Sequence, residues 1–206
     1  MGRPRGVEDA AILRATARVM GRVGPTGLTL AAVAREVGLV PATLVQRFGS
    51  KRGLLLALAE RSAKDAGEQA GRVRRAHGSA LGALVELTVE SVAEMETPDT
   101  FANHLAFLCL DLTDPQLHEH ALAVHRARAE AIGELLAEAA GAGELRAGTD
   151  PAALSRTVQA VVAGAGLTWA FERRGTLAER LREELALVLS PHLPHPYDQN
   201  HELEGS

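Results

Sequence analysis

Ala42, Thr43, Val45 and Gln46, with Arg47 beside them, fall on one side of a short segment, PATLVQRF, whose other side carries Leu44 and Phe48. Leu44 and Phe48 stand four apart and share a helical face. A helix with an apolar back and a small, polar front suits the major groove of DNA, where side chains meet base edges. The residues before it complete the pattern. Ala34 is small where a second helix must approach closely, and Gly38 takes the left-handed backbone that a sharp reversal demands. Val33, Val37 and Leu39 supply apolar contacts that lock the two helices together. Thr29 caps the first helix, and its hydroxyl is then placed to meet a phosphate. Pro41 opens the second helix at a position whose N–H is unpaired anyway.

The charge distribution favours the same chemistry. Residues 1–53 hold nine Lys/Arg against three Asp/Glu, a surplus of six; the remainder holds thirteen against twenty-three, for a net charge of −4. A basic head on an acidic body orients itself on a polyanion. Lys51 and Arg52 lie at the start of a helix, the wrong end for cations in its dipole, which points to an outside phosphate. Simple solvation is the competing reading for Arg47, Lys51 and Arg52. Arg3 and Arg5 are the only charges in the opening MGRPRG. That arm either enters a narrow A·T minor groove or is a loose basic tail.

The spacing of Ile12, Leu13, Gly24, Leu28-Thr29, Ala34, Gly38, Leu44, Phe48, Ser50, Lys51 and Leu54-Leu55 resembles the helix-turn-helix of the TetR family of bacterial transcriptional regulators. The match covers about the first quarter of the chain. The resemblance implies a homodimeric repressor that binds double-stranded DNA at an inverted repeat and is released by a small, mostly apolar effector. Two positions depart from the pattern. Val40 stands where the family often has Ser, and Val45 where it often has an aromatic residue. Valine donates no hydrogen bond, though it can touch a thymine methyl.

The elements that must hold this head are all helical. Ala and Leu dominate, and aromatic residues make up only 3% of the chain. Caps and prolines predict helices over residues 8–23, through the two short segments, over 51–76, then 79–95, 97–110, 114–140, 150–173 and 176–189. The reading is all-α with about nine helices. A helix-turn-helix domain spans 1–53, an effector-binding and dimerisation domain spans 54–190, and a Pro-rich tail, 191–206, is expected to lack order.

The last two helices carry the expected dimer surface: Leu154, Val158, Val161 and Ala165 form a stripe on one, where Ala160, Ala163, Gly164 and Gly166 are small enough for close backbone approach, and Leu177, Leu181 and Leu185 recur on the other. The middle helices hold the scarce large side chains. Met95, Phe101, His104, Phe107, Leu108, Leu112, His125 and Trp169 are the candidate effector lining, with plain core as the competing reading. His118 and His125 share a helical face, but no metal-binding spacing accompanies them, so neither metal nor cofactor is expected. His104 and Asp111 have the types of an acid–base pair. No nucleophile motif or glycine-rich phosphate loop supports one, and the chain is not expected to be an enzyme. One cysteine, no signal core and no long apolar run predict a soluble cytoplasmic protein. An all-helical small-molecule carrier without sequence-specific DNA binding is the alternative.

Overall fold

The computed structural model describes residues 7–194. Their order is α1 (Asp9–Gly27), α2 (Leu30–Glu36), α3 (Pro41–Phe48), α4 (Lys51–Ala76), α5 (Ala80–Glu90), α6 (Pro98–Thr113), α7 (Pro115–Gly141), α8 (Pro151–Glu172) and α9 (Leu177–Leu189), then a 3-10 turn (Ser190–His192). No strand occurs among the described residues, and no helix there is long and apolar enough to cross a membrane. Side chains predicted as caps do cap. Thr29, Ser79 and Asp150 accept from backbone amides of α2, α5 and α8. Thr97 with Thr100, and Thr176 with Glu179, form reciprocal pairs at α6 and α9. Two ends move from their predicted places. α5 stops at Glu90, where the Ser91 hydroxyl donates to the Thr88 carbonyl and competes with the helix. α6 continues to Thr113, since only the Asp114-Pro115 step excludes the helical backbone.

The chain forms two compact units. The first comprises residues up to Asp65 together with Glu94–Val124. Its core joins Ile12, Val19, Leu28, Val33, Leu44, Leu54 and Phe107, and α1 lies against α6. The second comprises Ala66–Ala93 and the chain from His125. Its core joins Val73, Leu84, Leu136, Val158, Leu181 and Leu185, with α9 packed on α8 and α5. α4 and α7 each contribute residues to both units.

α1 is broken near its end. Gly24 has φ 65° and ψ −176°, and Pro25 follows it. Glycine takes that backbone without penalty. Proline has no N–H, so the Gly21 carbonyl lacks its donor four residues on. The Asn103 side-chain amide, from α6, donates to that carbonyl at 2.8 Å. The approach is close. A Cβ on Gly24 would meet Asn103 Oδ1 at 2.6 Å, and one on Gly21 would meet His104 Cε1 at 2.9 Å. Asn103→Ala should therefore leave a buried carbonyl unpaired and cost about 1–3 kcal/mol in urea unfolding. Asn103→Asp should cost at least as much, because it sets a carboxylate against the carbonyl oxygen.

Candidate nucleic-acid interface

α2 and α3 meet across a turn that few side chains permit. Val33 and Ala34 are fully buried. Gly38 has φ 68°, and the Leu39 amide returns to the Ala34 carbonyl at 2.8 Å. Val40 is extended, and Pro41 begins α3. Leu44 is fully buried and Phe48 packs beside it, so the back of α3 is anchored in the first unit's core. Ala42, Val45 and Gln46 are exposed on the opposite side, and Thr43 is half-buried. Pro41 and Thr29 are also exposed. Val40 is 63% exposed and Val45 49%. A Cβ on Gly53 would lie 1.9 Å from the Phe48 carbonyl oxygen. Only glycine lets the first turn of α4 sit so close to the end of α3, a requirement that residue spacing alone does not reveal.

The cations around α3 have partners within the protein. Arg47 donates to the Val7 carbonyl and to Asp9 at 3.0 Å. Lys51 donates to the Pro25 carbonyl at 2.6 Å. This explains a cation at the start of α4 without an outside phosphate: it serves the last turn of α1, where helix carbonyls end. Arg52 grips Asp114 with two nitrogens and reaches Gln116 at 2.7 Å. The Arg52 hydrogen bond holds the Asp114 carboxyl down at about 2. Arg22 reaches Glu36 at 2.6 Å, joining α1 to α2 and lowering the Glu36 pKa. Arg3 and Arg5 lie outside the described residues.

The expected effector residues divide between the units. Met95, Phe101 and His104 are half-buried in the first, and His104 Nδ1 lies 2.8 Å from the Thr100 carbonyl oxygen rather than on Asp111. Phe107 belongs to the first unit's core. Leu108 and Leu112 are exposed on α6, and His125 is exposed on α7. Trp169 is buried in the second unit, where its indole N–H donates to the Gly175 carbonyl at 3.1 Å. Phe107 and Trp169 are thus accounted for by packing.

The expected dimer residues are largely internal. Leu154, Val158, Ala165, Leu177, Leu181 and Leu185 are buried within their own chain, and Val161 is half-buried. The physical reason is that α8 packs on α9, and α9 on α5, within the chain. The apolar and small residues left exposed are others: Ala160, Gly164, Leu167 and Phe171 on α8, and Leu187 on α9. Phe171 is 87% exposed and Leu187 70%.

Residues 12–58 match the family model described as bacterial regulatory proteins, tetR family. No curated protein matches the chain. Solved structures share its fold. A protein from Saccharomonospora viridis in complex with choline is 20% identical, with a TM-score of 0.72 over 91% of this chain and 98% of that one. FadR from Bacillus subtilis, in complex with stearoyl-CoA, is 15% identical, with a TM-score of 0.65 over 89% and 98%. SmeT, the repressor of the Stenotrophomonas maltophilia multidrug efflux pump SmeDEF, is 19% identical, with a TM-score of 0.65 over 93% of each chain.

One group beside the interface gives a pH test. Burial, and then the charge of Asp114, push the Asp111 carboxyl up to about 6. A folded pKa above the unfolded value means that ionising Asp111 costs stability. The cost is absent below the model-peptide value of 3.8 and complete once pH passes about 6. Asp111→Asn should raise the urea midpoint at about pH 7, and the advantage should fade as the pH falls to about 4.

Proposed function

Because the chain belongs, through residues 12–58, to the TetR family of bacterial regulatory proteins, we propose that it is a homodimeric, ligand-responsive repressor that binds an inverted-repeat operator. One observation carries the reading. α3 buries Leu44 and leaves Ala42, Val45 and Gln46 facing outward from a cationic head. One such head covers too little DNA for tight binding, and a twofold pair reads two half-sites. The effector-binding and dimerisation domain is assigned to residues 54–190. Its effector is small and mostly apolar, met by Leu108 and Leu112 among the candidates. Choline and stearoyl-CoA in two proteins of like fold support an organic effector. A ligand that binds two states differently shifts α4, which begins three residues after α3 ends, and lowers operator affinity.

The dimer is assigned to the open face of α8 and α9. Ala160, Gly164, Leu167 and Phe171 recur at helical spacing, with small residues at one end and large ones at the other. Leu167→Glu combined with Phe171→Glu should yield a monomer in sedimentation with unchanged helix content. A wild-type chain that sediments as a monomer overturns this assignment.

The DNA reading is tested by fluorescence anisotropy on duplex flanking the protein's own gene. Affinity should fall steeply and log-linearly with salt as phosphate counterions are released. Gln46→Glu, on an exposed position, should weaken binding at least about tenfold while leaving the melting temperature unchanged, since it sets a charge against an acceptor-rich groove. Salt-insensitive binding, or a variant that binds as well as wild type, counts against the reading.

A further inference from the structure

Resting on the operator-binding reading above, we propose that the half-site is recognised through thymine 5-methyl groups held against Val45 and Val40, with Gln46 on an adjacent adenine. No cation of α3 reads a guanine. Between Pro41 and Arg47, α3 exposes Ala42, Val45 and Gln46, and Val40 precedes them at its start. None of these is charged. Val40 and Val45 are among the large apolar side chains that the head leaves exposed, although the same segment buries Leu44 completely. Arg47 is the one cation within α3, and its guanidinium is held by the Val7 carbonyl and Asp9.

The major groove discriminates among partners for such a face. Guanine presents two acceptors, cytosine a donor, adenine an acceptor and a donor, and thymine an acceptor and a methyl group. Valine against guanine O6 and N7 strips water from two acceptors and returns nothing. Valine against a thymine methyl buries apolar surface on both sides. Gln46 has the paired donor and acceptor that fit adenine N7 and N6. The surrounding charge completes the match. Residues 7–53 hold seven Lys/Arg against three Asp/Glu, so a net positive charge draws in the phosphates while the uncharged residues of α3 meet bases. Attraction by net charge carries no sequence information, and the valines with Gln46 carry it.

The full-length protein is used to select duplexes from a random pool, and the enriched half-site is measured by anisotropy. Each contacted thymine is then replaced by deoxyuridine, which removes the methyl group alone. Affinity should fall about fourfold per methyl lost, and about fifteenfold when the same methyl is removed from both half-sites. Val45→Ala should show a similar loss on the thymine duplex, become indifferent to deoxyuridine at the base it touches, and keep the salt slope. An enriched site that wild type binds equally with deoxyuridine, or one anchored on guanines opposite α3, overturns the methyl proposal and leaves the operator reading standing. A selection that enriches nothing overturns both.

Discussion

Pro25 carries no amide hydrogen, so the carbonyl of Gly21 lacks its helical donor four residues on. A buried carbonyl left in that state costs about 1–3 kcal/mol. Asn103 removes the cost by donating from α6. The Pro25 carbonyl, one turn on, receives Lys51 from the start of α4. The break in α1 is thus closed by two other helices. α1 also supplies Ile12 and Val19 to the core that holds Leu44. The seating of α3 therefore depends on a joint made by one proline, one asparagine and one lysine.

That joint changes the meaning of the head's positive charge. Cations set near a DNA-reading helix invite assignment to phosphates, yet Arg47, Lys51 and Arg52 each hold a protein partner. Ion pairs at exposed positions are worth at most about 1 kcal/mol, because water and salt screen them. The Arg47–Asp9 pair therefore adds little, and the Val7 carbonyl is what keeps that guanidinium on the protein. Lys51 is held in the same way, by a helix-end carbonyl that would otherwise be left bare. Charge attracts the duplex as a whole, and the neutral centre of α3 is what remains to distinguish one sequence from another.

α8 shows why apolar spacing alone mislocates a surface. It is apolar nearly all the way round, so one helical stripe lies against the core and another lies open. Leu154, Val158 and Ala165 are inside, while Ala160, Gly164 and Leu167 are outside. Both stripes satisfy the same periodicity. Packing on α9 selects between them, and α9 in turn lies on α5, a segment far away in the chain.

Local chemistry was legible in the chain itself. Thr29, Thr97, Asp150 and Thr176 announce helix starts because a capping side chain needs only amides two or three residues away. Gly38 announces the reversal for a similar reason, and the alternation of buried Leu44 with exposed Gln46 follows from one turn of helix. Whatever depends on distant partners was not legible. Asn103 looks like any polar residue on α6 until the missing amide of Pro25 is brought beside it, and Gly53 looks like a poor helix former until the Phe48 carbonyl is seen where its Cβ would be. Phe107 and Trp169 have the composition of a ligand pocket and the positions of core packing. Side-chain type is a property of one residue, whereas burial and hydrogen-bond satisfaction belong to the set of neighbours that only the folded chain assembles.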